Sequence, residues 1–305
     1  MAMKNSGKIL LVILMLIGLA SCASLRGAPP PTWSIPEGIK TVEVNGYHMA
    51  YQEAGSGTAV VFVHGSLADY RTWDTQVPEF SKTYRTIAVS LRHYYPEKWN
   101  GVGDDFSVAQ HASDVAALIK KLNLGKVHLI GNSRGGTIVL TVAILYPEIV
   151  RSLILEEANM EPLMPDTAEK QKRVAEGKAR GESVRAALAT DGREKAARIF
   201  MTSYGADWNK LPDRVKQIAL ENIGTCTESG ERGKFSCADI KKLNFPILLL
   251  NGEKSMKLYR EMNDALRQCK PDIPAPLIIP NAPHLAHRGN IEFFNKAVLD
   301  FLNKH

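Results

Sequence analysis

The chain has 305 residues, of which 45% are hydrophobic and 23% charged, with a formal net charge of +6 at pH 7. This is ordinary globular usage, and the length suits one large core with an inserted lobe rather than a string of small domains. No block of like charges marks a nucleic-acid-binding arm, so nucleic acid is excluded as a partner.

Taken in chain order, Lys4 and Lys8 precede an apolar run over residues 9–17 that continues through Gly18, Leu19 and Ala20. That is the pattern of a secretory signal, and it is shorter than the roughly 20 apolar residues of a spanning helix. The run ends in Leu19-Ala20-Ser21-Cys22, which resembles the bacterial lipobox. The resemblance implies a signal peptide over 1–21 and an acylated Cys22 as the mature N-terminus. With Ala23 following, it also implies an exported lipoprotein anchored in the outer membrane and facing the periplasm. Two or three acyl chains anchor stably, so the membrane is an expected partner. Residues 22–40, with Pro29, Pro30, Pro31 and Pro36, read as an extended tether. Besides Cys22 the chain carries Cys226, Cys237 and Cys269, an odd number for an oxidising compartment. Proximity in sequence favours a disulfide between Cys226 and Cys237, with Cys269 unpaired.

From residue 41 onward, short β-type runs alternate with helical ones, which points to a mostly parallel sheet covered on both faces. Residues 41–44 and 47–53, joined by Asn45-Gly46, read as a hairpin. Runs at 59–63, 86–91 and 126–130 suit buried strands. Residues 107–122 space Val108, Ala112, Val115, Leu118 and Ile119 as one helix face, with Ser107 as N-cap. After Glu157 the texture turns polar and helix-prone until about Lys242, which predicts a helical cap over 158–243 inserted into a core of 41–157 and 244–305. Strand signals resume at 246–250 and 276–279. Residues 291–303 predict a closing amphipathic helix with Phe293, Phe294, Val298 and Phe301 inward.

The segment richest in chemistry is Gly131-Asn132-Ser133-Arg134-Gly135, set between a strand and a helical run. Gly-x-Ser-x-Gly in that context is a nucleophile elbow, where the serine sits on a strained turn. A serine hydroxyl needs a base to take its proton. His284 lies between the last strand and the final helix and is the best placed of eight histidines, with His287 the main competitor.

These blocks, together with Val61-Phe62-Val63-His64-Gly65-Ser66 and Asn281-Ala282-Pro283-His284, resemble the α/β-hydrolase superfamily over residues 41–305. The resemblance implies an α/β-hydrolase fold: a mostly parallel central sheet with helices on both faces and an inserted helical cap. It further implies an oxyanion hole from the backbone N–H groups of Ser66 and Arg134, with His64 structural. Many members carry the acid of the triad after the penultimate strand, where this chain reads Gly252-Glu253-Lys254-Ser255. Haloalkane dehalogenases and zearalenone lactonases resemble it better, placing the acid one strand earlier. That position is Glu157, with its neighbour Glu156 expected on the opposite face and Glu253 and Asp264 as weaker candidates.

A serine nucleophile excludes the displacement at saturated carbon that dehalogenases and epoxide hydrolases perform from an aspartate. The expected activity is hydrolysis of a small-molecule carboxylic ester or lactone through an acyl-enzyme, with no metal or organic cofactor. Two alternatives stand beside it. One is a serine aminopeptidase or thioester hydrolase on the same core; the other is an inactive surface binding protein.

Overall fold

The computed structural model describes residues 32–99, 106–227 and 233–305, so the signal segment, Cys22 and residues 22–31 of the tether lie outside the described residues. Eight strands form one sheet: β1 (Ile39–Val44), β2 (Tyr47–Ala54), β3 (Ala59–Val63), β4 (Arg85–Val89), β5 (Val127–Asn132), β6 (Val150–Glu156), β7 (Ile247–Gly252) and β8 (Leu277–Ile279). Their spatial order is β8-β7-β6-β5-β3-β4-β2-β1. Strands β3 to β8 run parallel, and β2 joins antiparallel to both β4 and β1. The predicted hairpin forms because Asn45 and Gly46 both take positive φ, 49° and 73°, the conformation a two-residue turn of the right twist requires.

The central strands are apolar throughout because both faces are covered. In β3, Val61 and Val63 face one core, and Val60 and Phe62 face the other. The same alternation separates Leu129 from Ile130, Leu153 from Ile154 and Leu249 from Leu250. Counting helices of ten residues or more, α1 (Val108–Lys121), α2 (Arg134–Leu145) and α6 (Lys257–Cys269) contribute to the first core, and α7 (Ile291–Leu302) to the second. Ser107 caps α1 as expected, its hydroxyl accepting from Gln110 N at 3.0 Å. On α7 the inward stripe is Phe294, Asn295, Val298 and Leu302, while Phe293 is 36% exposed. The expectation of an inward Phe293 fails because the helical period puts position 293 beside the stripe rather than on it.

Between β6 and β7 the chain builds α3 (Ala168–Thr190), α4 (Arg193–Thr202) and α5 (Asp213–Asn222). Val184, Ala187, Ala196, Ala197, Trp208 and Ile223 form a separate small core there, closed from below by Leu67 of the loop after β3. Residues 32–40, read from sequence as tether, are tied down in part. Thr32–Trp33 pairs with Glu97–Lys98, and Trp33 packs on Tyr47 with ring centroids 5.5 Å apart.

The expected Cys226–Cys237 disulfide is corrected. Cys237 is bonded to Cys269, Cα to Cα 4.9 Å, and Cys226 is free. The reason is packing. Cys269 lies on the buried side of α6, against which the short helix Cys237–Ile240 rests, whereas Cys226 follows α5 into the cap core. Burial pushes the Cys226 thiol up to about 12.

Candidate active site

Strand β5 delivers Ser133 to the carboxyl edge of the sheet. Its backbone sits at φ 51° and ψ −117°, a conformation that costs a non-glycine residue on the order of 1–3 kcal/mol. The turn is held by Ser133 N–H donating to Glu156 O at 2.9 Å. The flanking glycines are steric requirements: a Cβ on Gly131 would lie 2.5 Å from Gly135 O, and one on Gly135 would lie 2.3 Å from Val63 O.

The loop after β3 runs beside this elbow. His64 is fully buried, with Leu91 N–H donating to its Nε2 at 3.0 Å, so its Nδ1–H donates to Gly65 O at 2.8 Å. Burial lowers its pKa to about 4, and the ring is a neutral brace between the ends of β3 and β4. Ser66 and Ser133 line the same two cavities, and Arg134 lines the larger. Arg134 is the first residue of α2, where backbone N–H groups have no partner within the helix.

The adjacent carboxylates of Glu156 and Glu157 go opposite ways. Glu156 ends β6 in register with Asn132 and Leu250, and Glu157 then turns at φ 47°. Glu157 is fully buried; its Oε1 accepts from Gly252 N–H at 2.7 Å, and its Oε2 meets both Ser255 Oγ and His284 Nδ1 at 2.5 Å. Glu156 is equally buried and holds His287 instead, accepting from its backbone N–H and meeting its Nδ1, each at 2.9 Å. His287 Nε2 ends at Thr72 Oγ1, 3.1 Å away, inside the core. Of the two weaker candidates, Glu253 turns outward to accept from Asn281 N–H at 2.7 Å, and Asp264 pairs with Arg267 at 3.8 Å on the exposed face of α6.

His284 therefore has its Nδ1 fixed by a carboxylate and its ring held between two tyrosines. Tyr259 stacks on it at 4.5 Å and Tyr204 at 5.7 Å, both nearly parallel. The Tyr259 hydroxyl lies 3.4 Å from His284 Nε2. Burial holds this phenol well above its ordinary value, so it stays protonated at neutral pH. Neither tyrosine nor Ser255 carries a local sequence signal for a site role. The only hint of a double arrangement was a Glu-Glu pair matched by two histidines three residues apart.

Two cavities flank Ser133. One, about 260 Å³, includes Leu67, Met201, Leu211, Ile218, Met256 and His284 among its walls and is mainly apolar. The other, about 510 Å³, lies under α3 and takes in Tyr94, Phe106, Thr137, Arg134 and Arg180. Tyr94 and Phe106 are the aromatic residues of the segment after β4 that reach a cavity; His93 stacks on Trp99 instead, at 4.6 Å. Among the described residues no group of three or more His, Cys, Asp or Glu side chains is placed to hold a metal ion.

Three comparisons bear on this arrangement. 2-(Acetamidomethylene)succinate hydrolase of Mesorhizobium japonicum is 25% identical over 275 residues, covering 87% of this chain and 95% of that protein. A thermophilic esterase from Thermogutta terrifontis superposes with a TM-score of 0.70 at 23% identity, covering 87% of this chain and 97% of its own. The carboxylesterase CesB from Bacillus subtilis does so at 0.70 and 20%, covering 90% and 94%. At these identities the two solved structures speak for the fold. The family described as alpha/beta hydrolase fold matches residues 58–288, from β3 through the segment carrying His284, and the chain belongs to that family as a hydrolase.

Proposed function

We propose that the protein is a serine hydrolase of carboxylic esters or lactones that works through an acyl-enzyme. The observation that carries this reading is the contact of Glu157 with His284 Nδ1 beside a Ser133 held on a strained elbow. Ser133 Oγ attacks the carbonyl carbon while its proton passes to His284 Nε2, and Glu157 holds the tautomer and stabilises the imidazolium. The carbonyl oxygen becomes an oxyanion facing the Ser66 and Arg134 N–H groups, each such donor being worth ~3 kcal/mol in the transition state. The C–O bond then breaks, the alcohol leaves with the proton from His284, and water activated by His284 releases the acid and restores Ser133. Ser133 Oγ closes on Nε2 as substrate binds, a tightening common in such sites.

Labelling by a fluorophosphonate probe, abolished in Ser133→Ala, tests the nucleophile. A panel of 4-nitrophenyl esters, lactones and aminoacyl anilides tests the bond. Anilide turnover above ester turnover would favour an aminopeptidase, and absence of labelling would favour a binding protein.

The lipobox-like block supports a second part of the proposal, that Cys22 anchors the protein in the outer membrane facing the periplasm. Detergent phase separation of wild type against Cys22→Ser tests it; an aqueous wild type would refute the anchor.

A further inference from the structure

The larger cavity departs from an ordinary ester pocket in its charge. Four cationic side chains, Arg134, Lys178, Arg180 and Arg185, line it against the single carboxylate of Glu161. Arg134 and Arg180 have no acidic partner among the described residues. Arg134 Nη2 donates to Phe106 O at 2.7 Å, the guanidinium lies over the Phe106 ring at 5.0 Å, and its buried Nε has no hydrogen-bond partner. Arg180 donates to the Tyr204 hydroxyl at 3.2 Å and lies over that ring at 4.9 Å. Among the described residues neither guanidinium forms an ion pair, although eight other arginines do.

Both side chains are half-buried in the cavity wall, where their charges can meet an anion. These two charges also converge. Both act on the buried Cys226 thiol, and Arg180 acts on the Tyr259 phenol as well, in each case opposing the effect of burial. Arg180 is linked to the chemistry through Tyr204, which stacks on His284. The rest of the cavity wall nearby is aromatic or neutral and polar, with Tyr94, Phe106, Thr137 and Thr225. That is the composition of a pocket with an apolar body and a cationic end, beside the nucleophile.

We propose that this cavity is an anion subsite in which Arg134 and Arg180 receive a carboxylate carried by the substrate. The inference rests on the ester-hydrolase reading and deepens it: the preferred substrate is an acidic ester or lactone, not a neutral one. A carboxylate matches the planar donor fork of a guanidinium. Helix α3 presents Arg180 to the cavity on the same face as Gly177, Gly181 and Val184.

The test compares matched substrates. On the acyl side these are mono-4-nitrophenyl adipate and 4-nitrophenyl hexanoate; on the alcohol side they are 5-acetoxypentanoate and pentyl acetate, followed by pH-stat. In the wild type, kcat/KM for the acidic member of at least one pair should exceed that of the neutral member by roughly tenfold or more, the worth of a charge-assisted hydrogen bond. Arg180→Gln should bring the ratio towards unity and Arg180→Lys should restore part of it. Ratios near one in both pairs, or a ratio indifferent to Arg180→Gln, overturn the proposal. If no ester is turned over and Ser133 is not labelled, the hydrolase reading fails, and the subsite is judged separately by calorimetry on Ser133→Ala. Tighter binding of monomethyl adipate than of methyl hexanoate supports the subsite; equal binding overturns it.

Discussion

Ser255 donates its hydroxyl proton to Glu157 Oε2 at 2.5 Å, across the gap between the ends of β6 and β7. Ser255 occupies the loop where many relatives carry the triad acid, so the two positions converge on one point above the sheet. His284 is reached from β6, and the side chain after β7 is reduced to a hydrogen-bond donor that steadies the carboxylate. Gly252 N–H donates to the other oxygen, so both oxygens of a fully buried carboxylate are satisfied.

Glu157→Gln should lower kcat by roughly four orders of magnitude, as loss of the acid does in serine proteases. Ser255→Ala removes one charge-assisted hydrogen bond and should cost about tenfold. The double variant Glu157→Gln/Ser255→Asp moves the acid back to the other loop and should recover part of the loss. Steady-state kinetics with folding checked by circular dichroism decides this, and near-wild-type turnover in Glu157→Gln would show that the acid lies elsewhere.

Glu156 and His287 form a second pair of the same composition, fully buried and ending at Thr72. Breaking a buried pair from one side costs about 3–5 kcal/mol. Glu156→Gln and His287→Ala should therefore lower the urea midpoint strongly. The folded fraction of each should keep a kcat within about threefold of wild type, since a residue that packs the core acts on stability rather than on the transition state. A loss of kcat in Glu156→Gln with unchanged stability would exchange the roles of the two pairs.

Mass mapping of a non-reduced digest should recover Cys237 linked to Cys269 and Cys226 as a thiol. Cys269→Ser should destabilise by about 2–4 kcal/mol, the typical worth of a disulfide. A linked Cys226–Cys237 peptide would contradict the packing of α6.

Acid should destabilise the fold before it titrates carboxylates. Burial lowers His64 and His128 to about 4 and His111 well below its ordinary value. Between the unfolded value near 6.5 and these folded values the unfolded chain binds more protons, so stability is complete above about pH 6.5 and falls as pH drops towards 4. The slope is roughly 1.4 kcal/mol per pH unit for each such histidine. Urea midpoints at pH 7.5, 6, 5 and 4.5 measure it, and a flat profile would mean these rings charge freely in the folded state.

Much of this molecule was legible in its sequence because the signals are local. Asn45-Gly46 sets a turn from its own backbone preference, the apolar runs mark strands covered on both faces, and Gly131-Asn132-Ser133-Arg134-Gly135 carries its own steric logic. The divergence of Glu156 and Glu157 was readable too, since alternation is a property of one strand. What only the tertiary structure decided depends on elements distant in sequence. Cys237 pairs with Cys269 because α6 and the Cys237–Ile240 helix meet, a fact that spacing along the chain does not encode. Ser255 reaches Glu157, and Tyr204 and Tyr259 stack on His284, because the β6–β7 and β7–β8 connections and the segment after β8 meet above the same sheet edge. The charge of the larger cavity is likewise a consequence of folding: Arg134 and Arg180 lie far apart in sequence, on the elbow helix and on α3, and only packing brings both to the wall of one cavity.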